Sequence, residues 1–140
     1  MLYAIIDAVS DIDELITVSY GETVGELAKW FIDEVKENAD MYLSDEADFE
    51  MIDDACEQLE VLCEDDDSVN VSDMEGITVE AGDISISIIG AYYTYEEMKK
   101  ALEEFISQKP KFKKIKVPDN ENEKISVIDE LNCMLIKSGI

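Results

Sequence analysis

The sequence predicts an α+β domain: a mainly antiparallel sheet of about five to six short strands packed with three to four helices. Three observations carry that expectation. Strand-like and helix-like apolar patterns alternate in mixed order rather than as a regular βαβ series. At 140 residues, the chain is long enough to bury one real core. The apolar fraction of 46% is that of a globular protein, which acidic disordered chains do not reach.

The elements follow in order. Residues 2–9 (LYAIIDAV) and 15–20 (LITVSY) are β-rich runs flanking an acidic turn at Asp11, Asp13 and Glu14. Thr23 and Glu26 form a T-x-x-E capping box that opens a helix to about Glu37. Its apolar face is Val24, Leu27, Ala28, Phe31 and Val35, with Trp30 at the edge. Ser44 is placed to cap a second helix over about 45–63. That helix turns Ile52, Ala55, Cys56, Leu59, Leu62 and Cys63 inward, with Phe49 at the margin.

Residues 69–72, 76–81 and 84–90 are expected as strands. The alternation Ile84-Ser85-Ile86-Ser87-Ile88 is the cleanest strand pattern, and Ala81-Gly82-Asp83 makes the last two a hairpin. Thr94 and Glu97 open a third helix to about Ser107, with Met98, Ala101, Leu102, Phe105 and Ile106 inward, and Pro110 excludes its continuation. A strand over 112–117 is followed by a last helix from Ser126 to about Lys137. There is no repeat, long linker or low-complexity tail. Residues 1–140 are expected as one domain, with a mildly basic end completing an acidic body.

Charge narrows the function. The chain carries 35 acidic residues against 11 lysines, a net charge of −24. Residues 1–107 hold 30 acids and 4 lysines, residues 108–140 hold 5 acids and 7 lysines. Such a balance opposes direct binding to nucleic acid or to an anionic membrane, and speeds encounter with basic surfaces. The absence of His and Arg removes the commonest general base, the commonest metal ligand and the bidentate clamp for phosphates. Ser–His and Cys–His nucleophiles are thereby excluded. Halophilic adaptation is the rival explanation of the acidity; the all-Lys, Ile-rich usage fits an AT-rich bacterial or phage gene better. Cys56 and Cys63, seven residues apart on one helix, would be separated by about 10 Å of rise, too far for a disulfide. With Cys133 they are expected as reduced thiols. No signal peptide or membrane-length apolar run is present, so a soluble protein of the bacterial cytoplasm is expected.

The most informative feature is a row of carboxylates: Glu46, Glu50, Asp53, Glu57, Glu60 and Glu64. Steps of four and three put all six on one helix face, a row about 27 Å long. The row runs into Asp65, Asp66 and Asp67, with Asp73 and Glu75 close in sequence, and no lysine lies between Lys36 and Lys99. Adjacent like charges at this spacing each cost a helix about 0.2–0.5 kcal/mol, so five pairs would cost about 1–2.5 kcal/mol. A solvated helix face is the ordinary reading of such a pattern. The uncompensated length favours a surface for a charged partner.

That row, the net charge and the small size resemble the nucleic-acid-mimicking inhibitors of phages and mobile elements, among them anti-CRISPR and anti-restriction proteins. The resemblance is one of charge pattern and size over roughly residues 40–75, without a shared motif. It implies a stoichiometric inhibitor, not an enzyme and without cofactor or metal, that occupies the nucleic-acid groove of a basic nuclease or CRISPR effector. Immunity proteins that neutralise nuclease toxins show similar acidity. A carboxylate-based metal-binding module or enzyme is the alternative of a different class.

Other features have plainer readings. Asp119-Asn120-Glu121-Asn122-Glu123-Lys124, with Glu130 twelfth, resembles a calcium loop. Lys124 stands where the turn Gly is required, so a polar turn before a helix is the better reading. The basic stretch from Lys109 to Lys116 is expected to guard a sheet edge or to pair with the protein's own acidic face. Tyr92, Tyr93 and Tyr95 read as strand-end packing. Apolar outer-strand positions and Trp30 leave a homodimer open.

Overall fold

The computed structural model describes residues 2–11, 14–64 and 70–109, and the backbone of two further strands at 126–129 and 132–137. The chain is α+β. Its antiparallel sheet comprises β1 (Leu2–Val9), β2 (Glu14–Gly21), β3 (Thr78–Ala81) and β4 (Ile84–Tyr92), in the order β3-β4-β1-β2. Two further strands, β5 (Ser126–Asp129) and β6 (Asn132–Lys137), continue the sheet beyond β2 in the order β2-β6-β5, with β2 and β6 parallel. Three α-helices are described: α1 (Val24–Tyr42), α2 (Glu46–Leu59) and α3 (Tyr95–Ser107).

Strand β1 sits in the middle, and its sequence explains why. LYAIIDAV is almost wholly apolar, as a strand covered on both faces must be. Ala4, Ile6 and Ala8 face a core made with Leu27, Phe31 and Val35 of α1, Ile52 and Cys56 of α2, and Ile84, Ile86 and Ile88 of β4. Tyr3 and Ile5 face the other way, onto Ile16 and Val18 of β2 and Met98, Leu102 and Ile106 of α3. Helices α1 and α2 therefore cover one face of the sheet and α3 the other. A shift in register between Ile5 and Ile6, opposite β4, sends Ile89 to the α3 side.

Local signals set the helix starts. Thr23 Oγ1 accepts from Glu26 N–H at 3.2 Å, and the Glu26 carboxylate accepts in return from Thr23 N–H at 3.3 Å and from Glu22 N–H. Helix α1 runs to Tyr42, five residues beyond the expected end, because Asn38 and Ala39 are also buried and Asn38 Nδ2 donates to Glu34 O. Helix α2 is capped by Asp45 rather than Ser44: Asp45 Oδ1 accepts from Ala47 N–H at 3.0 Å. It ends at Leu59 and tightens into a 3₁₀ turn over Glu60–Cys63. Its last turn carries Glu57 and no basic residue, so a carboxylate faces the negative end of the helix dipole.

Two expectations are corrected. The strand expected at 69–72 gives way to a 3₁₀ turn at Val71–Met74, tied by Asn70 N–H donating to Asp73 Oδ2 at 2.9 Å. The helix expected over 126–137 is replaced by β5 (Ser126–Asp129) and β6 (Asn132–Lys137). The capping pattern at Ser126 and Asp129 is overridden by pairing: β6 lies parallel to β2, from Glu14↔Asn132 to Ser19↔Lys137, and β5 pairs with β6. An open β2 edge and the β-branched Val127, Ile128 and Ile136 favour that outcome. The strand expected at 112–117 and the calcium-like stretch lie outside the described residues.

Candidate partner-binding surface

Helix α2 lies over α1 and β3. Its inner side is the one the sequence implies: Ile52 and Cys56 are buried, while Phe49, Ala55, Leu59, Leu62 and Cys63 pack against the core at its margin. The remaining side is left to solvent. Glu46, Glu50, Asp53, Glu57 and Glu60 are all exposed there, as is Glu64. The regular helical row extends from Glu46 to Glu57. Glu60 still holds helical dihedrals as the α2 C-cap, whereas Glu64 is in extended backbone past the 3₁₀ turn. The row is thus helical over most of its length, with its last member turned off the helix.

The other predicted site residues separate from it. Asp65, Asp66 and Asp67 lie outside the described residues. Asp73 spends its carboxylate on the Asn70 cap, within a turn that packs on β4. Glu75 is exposed, and with Glu104 of α3 its charge adds to the effect of burial in raising the Tyr92 phenol above its ordinary pKa. Both residues therefore belong to the surroundings of β4.

Tertiary packing changes the local charge account in one respect. Lys36 and Lys29 of α1 come within electrostatic reach of the α2 side. Burial raises the Cys56 thiol and Lys36 opposes it; burial raises Cys63 and Lys29 opposes it. Asp53 and Glu60 push Cys56 further up, so the acidic row is felt in the core margin. Among the described residues, none of the six row carboxylates is held in an ion pair or hydrogen bond. Cys56 and Cys63 are both free thiols.

Sequence reasoning missed one component. Met51, beside Glu50, is 53% exposed, and Val61, just beyond Glu60, is 67% exposed. Apolar side chains at solvent-facing helix positions were the available signal. Val61 lies next to the end of the acidic row, whereas Met51, one residue from Glu50, is turned about 100° round the helix from it.

Elsewhere the chemistry is spare. An open crevice on α3 is lined by Glu96, Lys99, Lys100 and Glu103, where Lys99 and Glu103 pair at 3.4 Å. Among the described residues no group of three or more Cys, Asp or Glu is placed to hold a metal, and no helix is long and apolar enough to cross a membrane. From the basic stretch, Lys109 pairs with Asp7 and Glu14 of the protein itself. Comparisons with models of protein families, with curated proteins and with solved structures found no match to this chain.

Proposed function

We propose that this protein is a stoichiometric inhibitor that mimics nucleic-acid charge and blocks the nucleic-acid-binding surface of a basic partner, such as a CRISPR effector or a restriction enzyme. The observation that carries the reading is the α2 row: Glu46, Glu50, Asp53, Glu57 and Glu60, exposed on one side of a helix whose other side is core. A helical row at about 1.5 Å rise per residue offers a line of carboxylates comparable to one phosphate strand. Rigid anchoring by Ile52 and Cys56 holds that line in place, so little ordering entropy is lost on docking. Val61, exposed just beyond Glu60, adds an apolar contact that a protein partner rewards and free counterions do not.

The reading is tested by reversing the row, with Glu50, Asp53, Glu57 and Glu60 all changed to Lys. The native protein should displace a labelled oligonucleotide from the partner at a one-to-one ratio, and the reversed protein should not. Retained displacement by a variant with unchanged circular dichroism removes this surface from consideration.

A further inference from the structure

At the far end of the sheet, on the face covered by α3, two carboxylates meet one lysine. Asp7 of β1 is only 8% exposed. The register pairs Val9 with Glu14 and Asp7 with Ile16, making Glu14 the diagonal neighbour of Asp7 on the same face. Lys109, two residues beyond α3, places Nζ 2.7 Å from Glu14 Oε2 and 3.8 Å from Asp7 Oδ2, and lies over the Phe105 ring at 4.9 Å from its centroid.

The distances divide the cation unequally. At 2.7 Å Lys109 and Glu14 form a close ion pair, whereas the 3.8 Å to Asp7 is beyond hydrogen-bond range. Asp7 Oδ1 is buried and accepts no hydrogen bond. A carboxylate deprived of water and donors takes up a proton rather than stay charged. Among the described residues, the charged groups facing Asp7 are Glu14 from β2 and Lys109 from the end of α3; β4 presents the uncharged Ser87 opposite it.

We infer that Asp7 and Glu14 form a proton-binding site, and that release of this proton to solvent destabilises the β1–β2 hairpin and loosens the β6 strand paired to it. The connection to β6 is direct, because Glu14 opens the β2–β6 ladder opposite Asn132. Burial, then the hydrogen bond and charge of Glu14, push Asp7 from an ordinary 3.8 to about 7, against the pull of Lys109. Burial works against the Lys109 charge, but the neighbouring carboxylates of Glu14 and Asp7 outweigh burial and hold it above the ordinary lysine value. The folded state thus binds the Asp7 proton more tightly than the unfolded chain. Its stabilising effect is complete below about pH 4 and is lost as pH rises through about 7.

Urea unfolding of the full chain and of Asp7→Asn, between pH 5 and pH 8, tests this. Asn keeps the shape and cannot ionise, so dividing one profile by the other removes the pH dependence of all other carboxylates. The ratio of unfolding constants, native over variant, should rise at least tenfold across that range; a flat ratio overturns the site. Should Asp7→Asn not fold, carbon-13 carboxyl resonances of the native protein decide: a midpoint near neutrality for Asp7 supports the site, and one below 5 overturns it. Glu14→Gln should lower that midpoint and Lys109→Met should raise it. Amide exchange in β6, corrected for intrinsic rates, should quicken above neutrality in the native protein alone; identical protection at pH 5 and 8 overturns the loosening.

Discussion

Gly82 stands directly against Asp48: a Cβ at position 82 would lie 2.7 Å from Asp48 Oδ2 and 3.0 Å from Leu43 Cδ2. The tip of the β3–β4 hairpin thereby touches both the first turn of α2 and the link from α1, and helps set the direction of the acidic helix. Gly82 also has φ of +55°, a left-handed backbone that costs an L residue about 1–2 kcal/mol.

A paired substitution separates the backbone from the contact. Gly76 has φ of +86° with nothing within 4 Å of its would-be Cβ, so Gly76→Ala should cost about 1–2 kcal/mol from backbone alone. Gly82→Ala should cost more, since Leu43 is packed against the core and cannot move freely, although Asp48 can swing aside. Urea midpoints of the two variants check this. If Gly82→Ala proves the milder change, the hairpin tip does not brace α2.

Glu26 does more for α1 than Thr23 does. Thr23 Oγ1 satisfies one N–H, while the Glu26 carboxylate accepts from both Thr23 and Glu22. Losing a Ser/Thr cap typically costs about 1 kcal/mol. Thr23→Ala should therefore lower stability by about 1 kcal/mol and Glu26→Ala by more, with a double mutant less destabilised than the sum. Calorimetric melting of the three variants provides the comparison. Strict additivity would mean the two halves of the box act independently.

These two relationships mark what the chain reveals before folding. The Thr23 and Glu26 pair was legible because a cap is a local contract between residues three apart. The Ile84 to Ile88 alternation was legible for the same reason, its period matching a strand with one buried side. The Asp45 cap and the 3₁₀ ending of α2 turn on competition among neighbouring polar groups, which spacing does not rank. Residues 132–137 went astray differently: the helical spacing of Ile128, Leu131 and Leu135 is real in the sequence, but the open edge of β2 is a partner over a hundred residues away. The candidate surface divides likewise. The exposed side of α2 follows from periodicity, and the capture of Asp73 by Asn70 is a local contact three residues apart, while the proximity of Lys29 and Lys36 arises only from tertiary packing.

The acidic row carries its own cost, and that cost distinguishes a functional surface from a merely solvated one. Glu50→Gln, Asp53→Asn and Glu57→Gln together abolish all four adjacent repulsive pairs between Glu46 and Glu60. At about 0.2–0.5 kcal/mol each, the relief is about 1–2 kcal/mol, reduced by the attraction to Lys29 and Lys36 that is lost with it. The triple variant should melt a few degrees higher than the native protein in dilute buffer. In 1 M salt, where screening acts within about 3 Å, the gap should shrink. Association with the proposed basic partner should move the opposite way, slowing by tenfold or more at low salt, mostly in the on-rate. A variant that is more stable yet binds as fast as the native protein would show that these carboxylates serve solvation alone. One that is less stable would show that they support the fold.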